Sequence, residues 1–346
     1  MGKKVTGLLL FFLLCGVIYF MIETTSSREL AEEGKETSKP PIGEENLENG
    51  ESQAHLQEGF FKWLGASSEE ILAKFGEPER IDKSSYGYDW WVYSKDEQYF
   101  QIGIKDDTVV TSVTYDQYLN EHLKTGESYD RLNQEYAFQN KFPLKDGMFS
   151  FELTAKDLNE RPLIALNDQW SAQLYFDTFT DKLSAIRAVR NDILLTLQPY
   201  QLTYRGELPQ QQILTEDDWR EINEGSQRQI YEMTNYIRSS KGVDRLKKHK
   251  EAAKVAFSHS RDMNQNNYFS HHSQNGNGVG ERLRLGDVPF VRAGENIAAQ
   301  HIDATAAIHG WLNSEGHRAS LLDKRYTHIG VGVDHLYYTQ NFLSLP

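Results

Sequence analysis

The feature that most restricts this chain is an apolar run of 18 residues, Val5 to Ile22, with only Thr6 and Tyr19 polar, placed behind Lys3 and Lys4 and ahead of a long, mostly polar remainder. A stretch of that length matches the hydrocarbon thickness of a bilayer, and basic residues before it keep the N-terminus cytoplasmic and send the rest outward. The run stops at Phe20-Met21-Ile22-Glu23-Thr24 with no small-x-small site in register, which favours a retained signal anchor over a cleaved signal peptide. Leu13-Leu14 precede Cys15, so no lipid anchor is expected there. Cys15 is the only cysteine; the exported part therefore has no internal disulfide and no thiolate zinc site, and packing must stabilise it.

Residues 23–58 carry ten Glu, no Asp and three Lys or Arg, with few large apolar side chains, and read as a disordered acidic tether. With a formal charge of -13 for the whole chain, attraction to nucleic acid or to anionic lipid through net charge is disfavoured. The remaining length suits two domains.

The first, 59–205, opens at Phe60-Phe61-Lys62-Trp63, followed by a serine-capped helix that Gly76-Glu77-Pro78 ends. Segments alternating aromatic or β-branched with polar residues follow, at Trp90 to Tyr93, Tyr99 to Ile104 and Val109 to Val113, and read as antiparallel strands. Gly126-Glu127-Ser128, Leu132 and Tyr136 repeat Gly65-Ala66-Ser67, Ile71 and Phe75 at a spacing of 61, so two helix-plus-antiparallel-sheet repeats are expected. Their aromatic positions suit a core better than a binding platform, which leaves the region as a spacer or a contact module for an envelope protein. A polar linker, 206–225, leads to the second domain, 226–346.

Nine of the eleven histidines fall between His249 and His335. His259 shares helical spacing with Ala252, Ala256 and Met263 and reads as structural. His271 follows a helix and precedes a glycine-rich loop, where a side chain can face a cleft. Glu295, in Gly294-Glu295-Asn296-Ile297-Ala298, is an inward-pointing acid that needs a partner. An amphipathic helix through Trp311 is expected to end near Glu315, Gly316 and His317. The last clear strand, Thr327 to Val333, puts His328 and Gly330 on one face.

In that order Phe269-Ser270-His271, Gly294 to Ala298, Trp311-x-x-Ser314-x-Gly316-His317-Arg318 and His328 to Gly332 resemble the bacterial pattern of the CAP superfamily, the cysteine-rich secretory, antigen and pathogenesis-related (SCP-like) proteins. Gly65-x-Ser67…Phe75-Gly76-x-Pro78 and Tyr86-Gly87…Trp91-Val92-Tyr93 resemble the CAP-associated N-terminal module. The resemblance implies an α+β chain whose C-terminal α-β-α sandwich follows an α+β N-terminal domain. It further implies a cleft of two His and two Glu able to hold a divalent metal such as zinc. His271 and Glu295 match that tetrad, Ser314 stands where the second Glu belongs with Glu315 one place later, and the second His is His317 or His328.

The ligand-binding set is thus His271, Glu295, Glu315, His317 and His328, with His271, Glu295 and His317 as metal candidates and no catalytic residue assigned. The expected function is extracytoplasmic, membrane-tethered binding of a small apolar, envelope-derived or peptide ligand. A structural envelope protein and a metal-dependent hydrolase are the alternatives; no His-Glu-x-x-His and no Gly-x-Ser-x-Gly supports the second.

Overall fold

The computed structural model describes residues 59–95, 98–116, 123–145 and 147–346. The expected anchor, 1–22, and tether, 23–58, lie outside the described residues. Among the described residues no helix is long and apolar enough to cross a membrane.

Two serine caps organise the N-terminal domain. Ser67 starts α1 (Ser68–Phe75) in a reciprocal capping box with Glu70, and Ser128 starts α2 (Tyr129–Tyr136) by accepting from the Arg131 amide. Each capping serine also bridges the first residue of a strand, Ser67 to Thr108 of β4 (Thr108–Thr114) and Ser128 to Lys182 of β9 (Lys182–Arg190). Left-handed aspartates, Asp107 and Asp181, turn the chain into those strands. The same device therefore occurs twice, as the spaced sequence matches predicted.

The two halves do not form separate sheets. β4 pairs antiparallel with β9, joining β1 (Arg80–Lys83), β2 (Asp89–Tyr93), β3 (Phe100–Lys105), β7 (Leu163–Ala165) and β8 (Trp170–Asp177) into one seven-stranded sheet of order β1-β2-β3-β4-β9-β8-β7. A small sheet of β5 (Lys141–Leu144), β6 (Phe149–Glu152) and β10 (Gln201–Tyr204), with α3 (Ala155–Glu160) and α4 (Asn191–Leu197), flanks it.

The second domain opens with α5 (Glu216–Ser240), capped by Thr215 and Asp218, so residues 216–225 of the expected linker are the first turns of this helix. A four-stranded sheet of order β11-β13-β14-β12 follows, built from β11 (Lys247–Lys248), β12 (Arg292–Ala299), β13 (His328–Asp334) and β14 (Tyr337–Ser344). α6 (Lys250–Gln265) lies against β13 so closely that a Cβ on Gly332 would fall 1.9 Å from the Phe257 nitrogen. α7 (Val279–Leu285), α8 (Ala304–Leu312) and α9 (Glu315–Leu321) complete the domain. β14, absent from the sequence reading, is the central partner of β12 and β13.

The seven-stranded sheet buries both faces. Phe61 and Leu132 cover Leu174 and Phe176 on one side, and Phe60 and Ile71 cover Ile102 and Val109. On the other side Trp90, Val113 and Tyr175 share a single apolar core with Ile230 and Met233 of α5 and Trp311 of α8. Ion pairs cross the same interface. Arg187, fully buried, lies 2.5 Å from Asp303, which also caps α8. Asp177 meets Arg318 at 2.8 Å and Lys241 at 2.6 Å; burial pushes its carboxyl up, but these two cations outweigh that and hold it below the ordinary value. Asp82 accepts from Arg228 at 2.9 Å and Gln229 at 3.1 Å, and Gly225 admits the contact, since a Cβ there would stand 2.8 Å from that of Asp82.

Asp303→Ala removes the α8 cap and leaves the Arg187 guanidinium buried without its partner. The expected loss is about 3–5 kcal/mol of stability, read as a lower urea midpoint, whereas an unchanged midpoint would remove this ion pair from the account.

Candidate functional site

Glu295 stands in β12 with its carboxylate only 2% exposed. His271 Nδ1 lies 2.9 Å from Oε1, and Arg282 Nη2 donates to Oε2. Arg282 Nη1 donates to the carbonyls of His271, at 2.9 Å, and Asn277, at 2.8 Å, so one guanidinium ties the loop before α7 to the buried acid. His259, buried on α6, holds the Ser270 carbonyl at 3.0 Å, the structural part expected of it. Burial pushes the Glu295 carboxyl up, but the His271 hydrogen bond and the Arg282 charge hold it below the ordinary carboxylate value. An ionised carboxylate only accepts, so Nδ1 of His271 carries the proton in this bond, and the ring is half-exposed.

His317 joins this pair. α8 stops at Leu312 and α9 restarts at Glu315, so Gly316 lies inside a new first turn and does not end a helix. Ser314, at the N-cap position, makes no cap bond and turns its hydroxyl to His317 Nδ1 at 2.8 Å. The rings of His271 and His317 lie 6.3 Å apart, and burial, then the neighbouring His271, lowers the His317 pKa.

Two predicted members are not brought in. Glu315 is exposed, and its side chain makes no hydrogen bond or ion pair among the described residues. His328 starts β13, where it hydrogen-bonds Thr327 Oγ1 at 2.8 Å and faces His249. β14 separates β13 from β12, placing His328 about 10 Å or more from Glu295 at ordinary strand spacing. Alternation along a strand shows which residues share a face, not which strand lies beside it.

The metal reading of His271, Glu295 and His317 does not fit this arrangement. Both Glu295 oxygens are engaged, one of them by a guanidinium that already supplies positive charge, and the second tetrad carboxylate is replaced by Ser314. Among the described residues no group of three or more His, Cys, Asp or Glu is placed to hold a metal ion. Arg282 went unnoticed in the sequence; the demand of a buried Glu295 for a partner was the only signal of it.

Phe269, Ser314 and His317 also line a pocket of about 580 Å³ whose opposite wall comes from the N-terminal domain, through α3 and Tyr175. His301 and His309 lie in it. The His309 ring is stacked between Tyr175 and Tyr115, with centroids 4.5 and 5.5 Å away, and neither ring nitrogen has a partner among the described residues.

Residues 231–344 match the cysteine-rich secretory protein family, and residues 64–200 the CAP-associated N-terminal family. The uncharacterized membrane protein YlbC of Bacillus subtilis (strain 168) is 39% identical over 349 residues, covering 99% of each chain. This chain belongs to the CAP family. An extracellular protein containing an SCP domain from Bacillus anthracis str. Ames is 40% identical with a TM-score of 0.78, over 89% of this chain and 99% of its own. A cysteine-rich secretory protein from Staphylococcus aureus subsp. aureus Mu50 is 25% identical with a TM-score of 0.73, over 83% and 95%. The CAP domain and its associated N-terminal domain thus account for the α+β fold, with His271, Glu295 and His317 in the former and the pocket lined by both.

Burial, with the Arg187 charge adding to it against Asp177, lowers the His309 pKa to about 3; burial and Arg161 lower that of His301 to about 4. Between these values and about 6.5 the unfolded chain binds more protons than the folded one, so stability is present above that window and is lost as pH falls through it. His309 should contribute up to about 1.4 kcal/mol per pH unit there. His309→Phe should flatten the slope of unfolding free energy between pH 6 and 4, whereas a slope equal to that of the wild type would contradict a buried neutral imidazole.

Proposed function

We propose that this CAP-domain protein is an extracytoplasmic, membrane-tethered ligand-binding protein whose site is the cleft of His271, Glu295 and His317. Its occupant is a small apolar, envelope-derived or peptide ligand. The observation that carries this reading is the Arg282–Glu295–His271 assembly: a buried acid, held by two partners, fixes a half-exposed imidazole beside His317 at the edge of a pocket. Pre-organised polar groups next to concave apolar surface are what small-molecule recognition requires. The membrane and extracellular descriptions of the Bacillus relatives support the location, as does the apolar run at 5–22. Arg282 in contact with the acid argues for binding over metal-assisted hydrolysis, because no water-activating ion is needed to balance Glu295.

Mass spectrometry of small molecules released from the full chain, purified from bacterial membranes, tests the proposal. The wild type should retain a molecule that His271→Ala loses by about tenfold or more, and zinc content should be the same in both proteins and in Glu295→Ala. Equal retention would contradict the cleft, and stoichiometric zinc that both substitutions remove would favour the hydrolase.

A further inference from the structure

We propose that the pocket between the two domains is the seat of the ligand, and that it takes an uncharged molecule bearing hydroxyl or amide groups. This rests on the ligand-binding reading of the cleft and extends it inward. Its CAP wall is the end of β12, from Ile297 to Ala299, with α8; its other wall is α3 and Tyr175. At about 580 Å³ it has the size of a small-molecule site.

Charge is balanced within the α3 wall. Arg161 Nη2 lies 2.8 Å from Asp157, and Lys156 lies 3.9 Å from Glu160, so neither an anion nor a cation finds an unpaired counter-charge there. What the pocket offers instead is imidazole. His301, His309 and His317 all line it, burial lowering the pKa of each, so they are neutral at pH 7.

A neutral imidazole presents one N–H donor and one acceptor nitrogen. The His301 ring makes no hydrogen bond among the described residues and His317 engages only Nδ1, on Ser314, whereas both nitrogens of His309 are closed off between Tyr175 and Tyr115. A hydrocarbon chain laid over the His301 and His317 rings would strip water from their free nitrogens without replacing its hydrogen bonds, at a cost of about 1–3 kcal/mol each. A hydroxyl or an amide both donates and accepts, and so matches this set. Phe269, which is 55% exposed, and Tyr337 add aromatic surface for the apolar faces of such a molecule.

The probe is N,N′-diacetylchitobiose, which carries hydroxyls and amides and no charge, titrated into the full chain in detergent with ring-15N-labelled histidine. Saturable shifts of the His301 and His317 ring nitrogens are expected. Glu160→Trp from the N-terminal wall and Ala299→Trp from the CAP wall should each weaken binding about tenfold or more. Loss of binding in His271→Ala with no effect of either tryptophan would keep the cleft and overturn the shared pocket. Shifts produced by decanoate or glucose 6-phosphate but not by diacetylchitobiose would overturn the ligand chemistry. No ring shift up to about 10 mM probe would overturn the proposal while leaving the retention difference at His271 to decide the cleft.

Discussion

A twisted antiparallel sheet whose two faces are both apolar cannot be left open on either side. In this chain the seven-stranded sheet buries Trp90, Val113 and Tyr175 against α5 and α8 of the CAP domain. Each large side chain removed from water in this way contributes roughly 1.5–3 kcal/mol, so exposing that face would outweigh what any surface ion pair between the domains could return. The contact therefore has the character of a domain interior. Ionic contacts along it, among them Arg187–Asp303, Asp177–Arg318–Lys241 and Asp82–Arg228, set the register of the two layers, because each carboxylate accepts partners in only one relative placement.

The site follows from that docking. α8 is held to the sheet by Trp311 in the common core, by Asp303 at its start and by Asn313 just past its end, which donates to the Phe176 carbonyl at 2.8 Å. Its C-terminal end delivers Ser314 and His317 to the cleft, and its middle delivers His309 to the wall shared with Tyr175. The His271 side of the cleft is set within the CAP domain alone, by Arg282 and His259. The His271–Glu295–Arg282 assembly and the α3–Tyr175 wall of the pocket are thus supplied by different parts of the chain.

Local signals were legible where local chemistry decides the structure. The Ser67 and Ser128 caps, the strand alternation, the burial of His259 and the partnering of Glu295 could all be read from neighbouring residues. β14 was not, because Thr339, Gln340 and Asn341 are fully buried polar residues at its centre; Ser260 and Thr234 bond the first two, and a pattern search treats such residues as exposed. Arg282 was missed because it is one charged residue on a short helix with nothing in its neighbours to mark it as buried. His328 was placed in the cleft, and β14 between β13 and β12 is why it is not there. The union of two repeats into one sheet depends on β4–β9 pairs such as Thr111 with Val189, and that of the sheet with the CAP helices on contacts more than a hundred residues apart, such as Arg80 with Glu232. No spacing rule reaches that far.

The central claim is that the two domains share one interior and form the pocket only together. Scanning calorimetry of the full chain tests it most directly, since two docked domains with a common core unfold as a unit and independently stable ones do not. The account predicts a single endotherm, with a calorimetric enthalpy equal to its van't Hoff enthalpy, that moves as a whole when Asp177 is replaced by alanine. Two separable endotherms, only one of which responds to Asp177→Ala, would contradict it.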